Sequence, residues 1–189
     1  MACQDEFGAS AGFPPIARDD ARVLILGSLP SQASLAAHEY YAHPQNAFWK
    51  IMRELTGADG CYAERCESLR AAGVAVWDVL ASSVRPGSMD ADIQLGSAVP
   101  NDFPTFFAEH AGLRLVCFNG KKAEQVFRHL VQQPDMSAKL RLESLPSTSP
   151  AYASLSFDKK LHIWRGIIGP EIDRGTGNDR IRDSGYESL

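Results

Sequence analysis

The chain has 189 residues, 44% of them apolar and 22% charged, which is the composition of an ordinary globular protein with one sizeable core. Its 19 basic and 23 acidic residues leave a net charge of −4, which argues against a nonspecific nucleic-acid binder held mainly by neutralised phosphates. An enzyme touching DNA over one small face stays open, because helix N-termini can hold phosphates with backbone N–H groups alone.

Residues 1–20 read as an N-terminal extension; MACQDEFGASAGFPP carries acidic residues and no long apolar run, so no secretory signal and no membrane association are expected. Arg22–Leu26 (RVLIL) is a buried strand ended by Gly27. Asn46–Leu55 has helical spacing, with Phe48, Ile51, Met52 and Leu55 on one face. Gly73–Leu80 is a second strand, Pro104–His110 a short helix and Leu113–Phe118 a third strand. Gly120–Leu130 follows as a helix turning Ala123, Val126, Phe127 and Leu130 inward. Leu140–Leu145 is a fourth strand and Phe157–Ile168 a closing helix, before a Gly-rich, charged tail at 169–189 that is expected to be disordered. The alternation predicts a single α/β domain over 21–168, an α/β/α sandwich around a mainly parallel four-stranded sheet. Sites in such sheets lie beyond the carboxyl ends of the strands. That singles out Gly27–Asn46, Ala81–Asp92, Asn119–Lys122 and Pro146–Ser154.

The first of these, GSLPSQASLAAHEYYAHPQNAFW in its wider extent, packs Tyr40, Tyr41, His43, Pro44, Asn46, Phe48 and Trp49 closely together. The aromatics could simply cap the sheet, with Asn46 as an N-cap. LPSTSPAYAS is a rigid, hydroxyl-rich turn, either an ordinary loop or one pressed against a phosphate backbone. FNGKKAE runs a strand through Asn119-Gly120 into a helix beside Lys121 and Lys122, which suits an anion but is also a common helix entry. Cysteines 3, 61, 66 and 117 form no CxxC pair and have no histidine at zinc-finger spacing, so reduced thiols, no metal and no cofactor are expected.

Three segments in order resemble one superfamily, the uracil-DNA glycosylases. YYAHPQNAFWKIM is similar to the FAHPxNRFW segment of the mismatch-specific uracil and thymine enzymes. GSLPS stands where those carry GINPG, and LPSTSPAYAS where they carry NPSGLS or a PSSSA variant. Together with VAVWDVLASSVRPGSMD and FNGKKAEQVF, these variants resemble the hypoxanthine-DNA glycosylase branch, over about Arg22 to Ile168. The third position of GINPG is a catalytic Asn in the mismatch-specific relatives; here it is Leu29, whose side chain makes no hydrogen bond.

The resemblance therefore implies Asn46 as the catalytic residue of a monofunctional, cofactor-free glycosylase. It implies Tyr41 stacked on a flipped base, with Gly27, Ser28, Leu29 and Ser31 lining the pocket and Asn119 at the base edge or merely in its turn. Ser147, Thr148 and Ser149 would grip phosphates, with Pro150, Ala151 and Tyr152 filling the gap left by the base. Lys121 is a further phosphate contact, with Lys122, Lys159, Lys160 and Arg165 as lesser candidates. His43 supports its loop and Asp78 pairs structurally. The expected partner is DNA, duplex and also single-stranded, met by a monomeric cytoplasmic protein. Uracil or a broader set of deaminated bases is the alternative substrate, and a non-catalytic binder of damaged DNA the alternative class. An esterase is set aside, because no G-x-S-x-G elbow is present.

Overall fold

A computed structural model describes residues 10–84, 93–131 and 140–176. In chain order the elements are β1 (Ser10–Ala11), β2 (Val23–Gly27), α1 (Gln32–Ala37), α2 (Phe48–Thr56), α3 (Tyr62–Ala71), β3 (Val74–Asp78), β4 (Leu80–Ser83), β5 (Val99–Pro100), α4 (Phe103–Glu109), β6 (Leu115–Asn119), α5 (Lys121–Leu130), β7 (Arg141–Leu145) and α6 (Phe157–Thr176).

The main sheet is four-stranded and parallel throughout, in the order β3-β2-β6-β7. Every residue of β2, β3 and β6 is buried. Successive strand residues face opposite ways, so this pattern requires both faces of the sheet to be covered, and the sequences VLILG, VAVWD and LVCFN are apolar enough to allow it. Helix α3 packs on β3, α5 on β6 and β7, and α6 on β2, β7 and α2. The buried face of α2 is Phe48, Ile51 and Met52, and that of α5 is Ala123, Val126 and Phe127, as their spacing predicts.

Strand register sets the site. Gly27 stands opposite Asp78, Leu26 opposite Phe118, and Asn119 opposite Leu145, so the strand ends fall in one row. The chain leaves β2 for β3 on one side and β6 for β7 on the other. A crevice opens between β2 and β6 where those directions diverge.

Four boundaries differ from expectation. The apolar run Gly73–Leu80 is two strands, because the chain turns at Val79 and β4 joins a small antiparallel sheet with β1 and β5. Ala81–Ser83, expected in a post-strand loop, is therefore strand, and the rest of that motif at 85–92 lies outside the described residues. The end of the 1–20 extension belongs to the body: Ile16 is buried and exchanges two backbone hydrogen bonds with Val76. Helix α6 runs past Ile168 and through Pro170 to Thr176. Packing overrides the local Gly-Pro signal there, since Glu171 and Ile172 are buried and Arg22 Nε donates to the Glu171 carbonyl at 3.1 Å. Residues 177–189 lie outside the described part. Among the described residues no helix is long and apolar enough to cross a membrane.

Candidate active site

A cavity of about 340 Å³ occupies the crevice at the carboxyl ends of the strands. Its lining brings together Gly27–Ser31 after β2, Tyr41 and Asn46 before α2, Asp78 at the end of β3, Asn119–Lys122 after β6, and Ser147–Ser149 with Ala151 and Tyr152 after β7. Most of the residues picked from the sequence thus converge, although they come from five separate stretches of chain.

The floor depends on Gly27. A Cβ there would fall against Asp78 Oδ1 and within 3.1 Å of the Tyr41 hydroxyl, so only glycine leaves room for both groups at this point. Asp78 is only 3% exposed and its backbone carbonyl accepts from Asn101 Nδ2 at 2.8 Å. Asp78 is also among the residues that line the cavity. Burial, reinforced by the nearby Asp78 charge, pushes the Tyr40 phenol far above its ordinary value.

Adjacent tyrosines divide two tasks. Tyr40 is buried and anchors the loop: its hydroxyl donates to the Phe13 carbonyl at 3.2 Å, its N–H donates to Tyr62 Oη at 3.0 Å, and its carbonyl accepts from Trp49 Nε1 at 2.8 Å. The Arg65 guanidinium lies 4.5 Å from the Trp49 ring centroid and pins this cluster from α3. Tyr41, in the left-handed region at φ 55°, lines the cavity, as Tyr40 does, and stacks on Phe48 with centroids 4.0 Å apart. Ser31 lines the cavity, but its hydroxyl caps α1 by accepting from Ser34 N at 3.2 Å. Ser28 and Leu29 are both buried in the wall.

Asn46 stands one residue before Ala47, the N-cap of α2. Its Oδ1 accepts from the Phe48 N–H at 2.9 Å, which caps the start of α2, and the same side chain lines the cavity. His43 closes the turn before it, with Nδ1 accepting from Gln45 N–H at 3.2 Å, and it does not line the cavity.

The Asn119 amide is engaged at both ends by Thr148. Nδ2 donates to Thr148 Oγ1 and Oδ1 accepts from Thr148 N–H, each at 2.8 Å. Thr148 is 1% exposed and its carbonyl accepts from Ala47 N–H at 3.0 Å, joining β6, the loop after β7 and the entry to α2. Thr148 is thus a keystone of the loop. The close approach of Ser147 to Gly120, which sits at φ 97°, explains the glycine: a Cβ there would come 2.9 Å from Ser147 Cβ.

Ser147 and Ser149 flank the keystone at the cavity, and Pro150, Ala151 and Tyr152 are exposed at its mouth. Lys121 is exposed on the rim with Lys122 beside it. Lys159 and Arg165 are exposed away from the cavity, and Arg165 faces Glu54 at 3.8 Å. Lys160, a candidate phosphate contact by sequence, is instead 6% exposed and donates to the Tyr152 carbonyl at 2.7 Å. Burial lowers its pKa from the ordinary lysine value.

This geometry has known counterparts. The family model for the uracil DNA glycosylase superfamily matches residues 14–167. The chain belongs to that superfamily. Within it, the chain is 34% identical over 160 residues to a hypoxanthine DNA glycosylase of Methanosarcina acetivorans, covering 83% of this chain and 96% of that one. A hypoxanthine DNA glycosylase of Methanosarcina barkeri is 37% identical over 115 residues, 59% of this chain and 72% of the relative. A solution NMR structure described as a candidate uracil DNA glycosylase, also from M. acetivorans, superposes with a TM-score of 0.73 at 30% identity, covering 87% of this chain and 99% of that one. The superfamily fold thus matches the helix-covered parallel sheet described above.

Proposed function

We propose that this chain is a monofunctional DNA glycosylase that hydrolyses the N-glycosidic bond of deaminated bases, hypoxanthine first among them. The observation that carries the reading is Asn46: a fixed neutral amide in the wall of a cavity large enough for one bicyclic base. With Oδ1 held by the Phe48 N–H, the amide cannot rotate freely. Its Nδ2 donors serve the departing base, and the second lone pair of Oδ1 orients the attacking water. Water adds to C1′ as the C1′–N9 bond breaks, the bonding electrons leave with the base, and the proton lost by water ends on it. A preorganised donor of this kind contributes roughly 3 kcal/mol to such a step.

The base must leave the DNA stack to reach Asn46. Tyr41, backed by Phe48, offers it a ring to stack on. Asp78 on the floor is an acceptor. Hypoxanthine presents a ring N–H at the position where adenine presents a lone pair, so the carboxylate favours the deaminated base and repels the normal one. Leu29, in the wall where the mismatch-specific relatives carry Asn, offers uracil nothing polar to bind. Ser147, Ser149 and Lys121 face the phosphates at the rim, and Pro150–Tyr152 fill the place vacated in a duplex. No lysine acts as nucleophile, so the product is an intact abasic strand. The partner is DNA carrying the lesion, and the chain acts as a monomer in the cytoplasm.

Asn46→Ala is expected to lower release of hypoxanthine by roughly 10²-fold or more while the affinity for inosine-containing duplex changes little. Single-turnover kinetics and fluorescence anisotropy on the same duplex separate the two quantities. Near-normal turnover by the variant would overturn the role given to Asn46.

A further inference from the structure

Pro150 to Ser154 are all exposed, and Tyr152 keeps 39% of its surface in water at the mouth of the cavity. A segment of that kind ordinarily fluctuates. Here one helix face grips it. Lys160 and Trp164 lie four residues apart on α6 and so point the same way. Trp164 is fully buried and its Nε1 donates to the Pro146 carbonyl at 3.0 Å, while Lys160 Nζ donates to the Tyr152 carbonyl at 2.7 Å. The ammonium also lies 5.2 Å from the centroid of the Tyr152 ring. The two ends of the loop are thus fastened to a single rigid element, and Asn119 holds its middle through Thr148.

The Lys160 end is the unusual one. Lysine on a helix face normally keeps its head in water, whereas this one is buried at 6% exposure and bonds the Tyr152 carbonyl. Beyond Ser149 the segment makes short bonds of its own, Tyr152 N–H to the Ser149 carbonyl and Ala151 N–H to Ser149 Oγ, and these close the turn without tying it to the body.

We infer that Lys160 is a positioning residue: its buried ammonium sets Tyr152 in the projecting form that enters duplex DNA once the base has left. The duplex part of this inference rests on the function proposed above. Lys160 touches neither base nor reacting atoms; it acts through Tyr152. The requirement applies to paired DNA, where a gap must be filled, and lapses where the lesion is already unpaired.

The test uses the full chain with Lys160→Met, which keeps the length of the stem, and Lys160→Arg, which keeps the charge and the donors. Hydrogen exchange of the 150–155 segment is read first, without DNA. The methionine variant is expected to exchange there about tenfold faster or more, with the arginine variant near wild type and the peptide over Asn119 unchanged in both. Deoxyinosine is then offered in a fully paired duplex and in a short unpaired bubble. Lys160→Met is expected to lose about tenfold or more on the paired substrate, against under about threefold on the bubble, with arginine restoring most of the loss. Unchanged exchange in Lys160→Met would refute the anchor whatever the substrate. Equal losses on paired and bubble DNA would refute the role in duplex entry. If wild type releases no hypoxanthine from either substrate, the proposed function fails and the duplex role with it, while faster exchange would still establish the anchor.

Discussion

In the function proposed above, the amide of Asn46 has both a structural and a chemical part. Its oxygen bonds the first N–H of α2, and that bond is what orients the donors. Asparagine suits this because it stays neutral and carries both kinds of group. Thr148 adjoins the same loop through Ala47, and its hydroxyl is the acceptor of a buried Asn119 donor. Thr148→Val keeps the shape but strands that donor, and is expected to cost about 1–3 kcal/mol, whereas Thr148→Ser should cost well under half of that. Urea unfolding of the two variants measures the difference; equal midpoints for valine and wild type would show that the bond holds nothing. At this scale the sequence was informative about which residues converge and less so about what each one bonds. Asn119 and Thr148 were legible as members of the site, but their mutual engagement needs two loops brought together from 29 residues apart. The place of Asp78 in the cavity lining is not legible for a related reason, since it depends on the register that sets Asp78 opposite Gly27.

Among the elements, those with a clear apolar period were legible. The faces of α2 and α5 and the buried strands β2, β3 and β6 follow from spacing and composition. Helix α3 was not, because YAERCESLRA buries only Cys66 and Leu69 and shows no apolar stripe. Yet α3 secures the aromatic loop, through Arg65 over Trp49 and through Tyr62 as acceptor of the Tyr40 N–H. Burial pushes the Tyr62 phenol up to about 12, against the opposing effect of that bond. A raised tyrosine pKa gives stability that is whole below the ordinary value near 10 and is lost as pH rises through the folded value. Between those limits the folded chain keeps a proton that the unfolded chain has given up. Urea midpoints of the wild-type protein should therefore fall more steeply across that window than those of Tyr62→Phe, which starts lower for want of the acceptor. Parallel slopes in the two proteins would contradict the burial of this phenol.

For the molecule as a whole, the excess of acidic residues and the single rim of Lys121 and Lys122 fit an enzyme that meets DNA over a small face and puts its specificity into a pocket. The parallel sheet is legible from its alternation with helices, whereas the reach of the described fold past residues 21 and 168 is not. Ile16 and Ile172 lie outside the expected limits, and their docking against β3 and the core, with the pairing of β1 to β4, carries the folded unit past them. The most direct test of the account offers the enzyme end-labelled duplexes carrying one deoxyinosine or one deoxyuridine, with and without alkali after incubation. The account predicts a break at inosine that appears only after alkali, with far less at uracil. A break at uracil alone would contradict the reading of Leu29 and Asp78, and bound but uncut inosine DNA would contradict the catalysis itself.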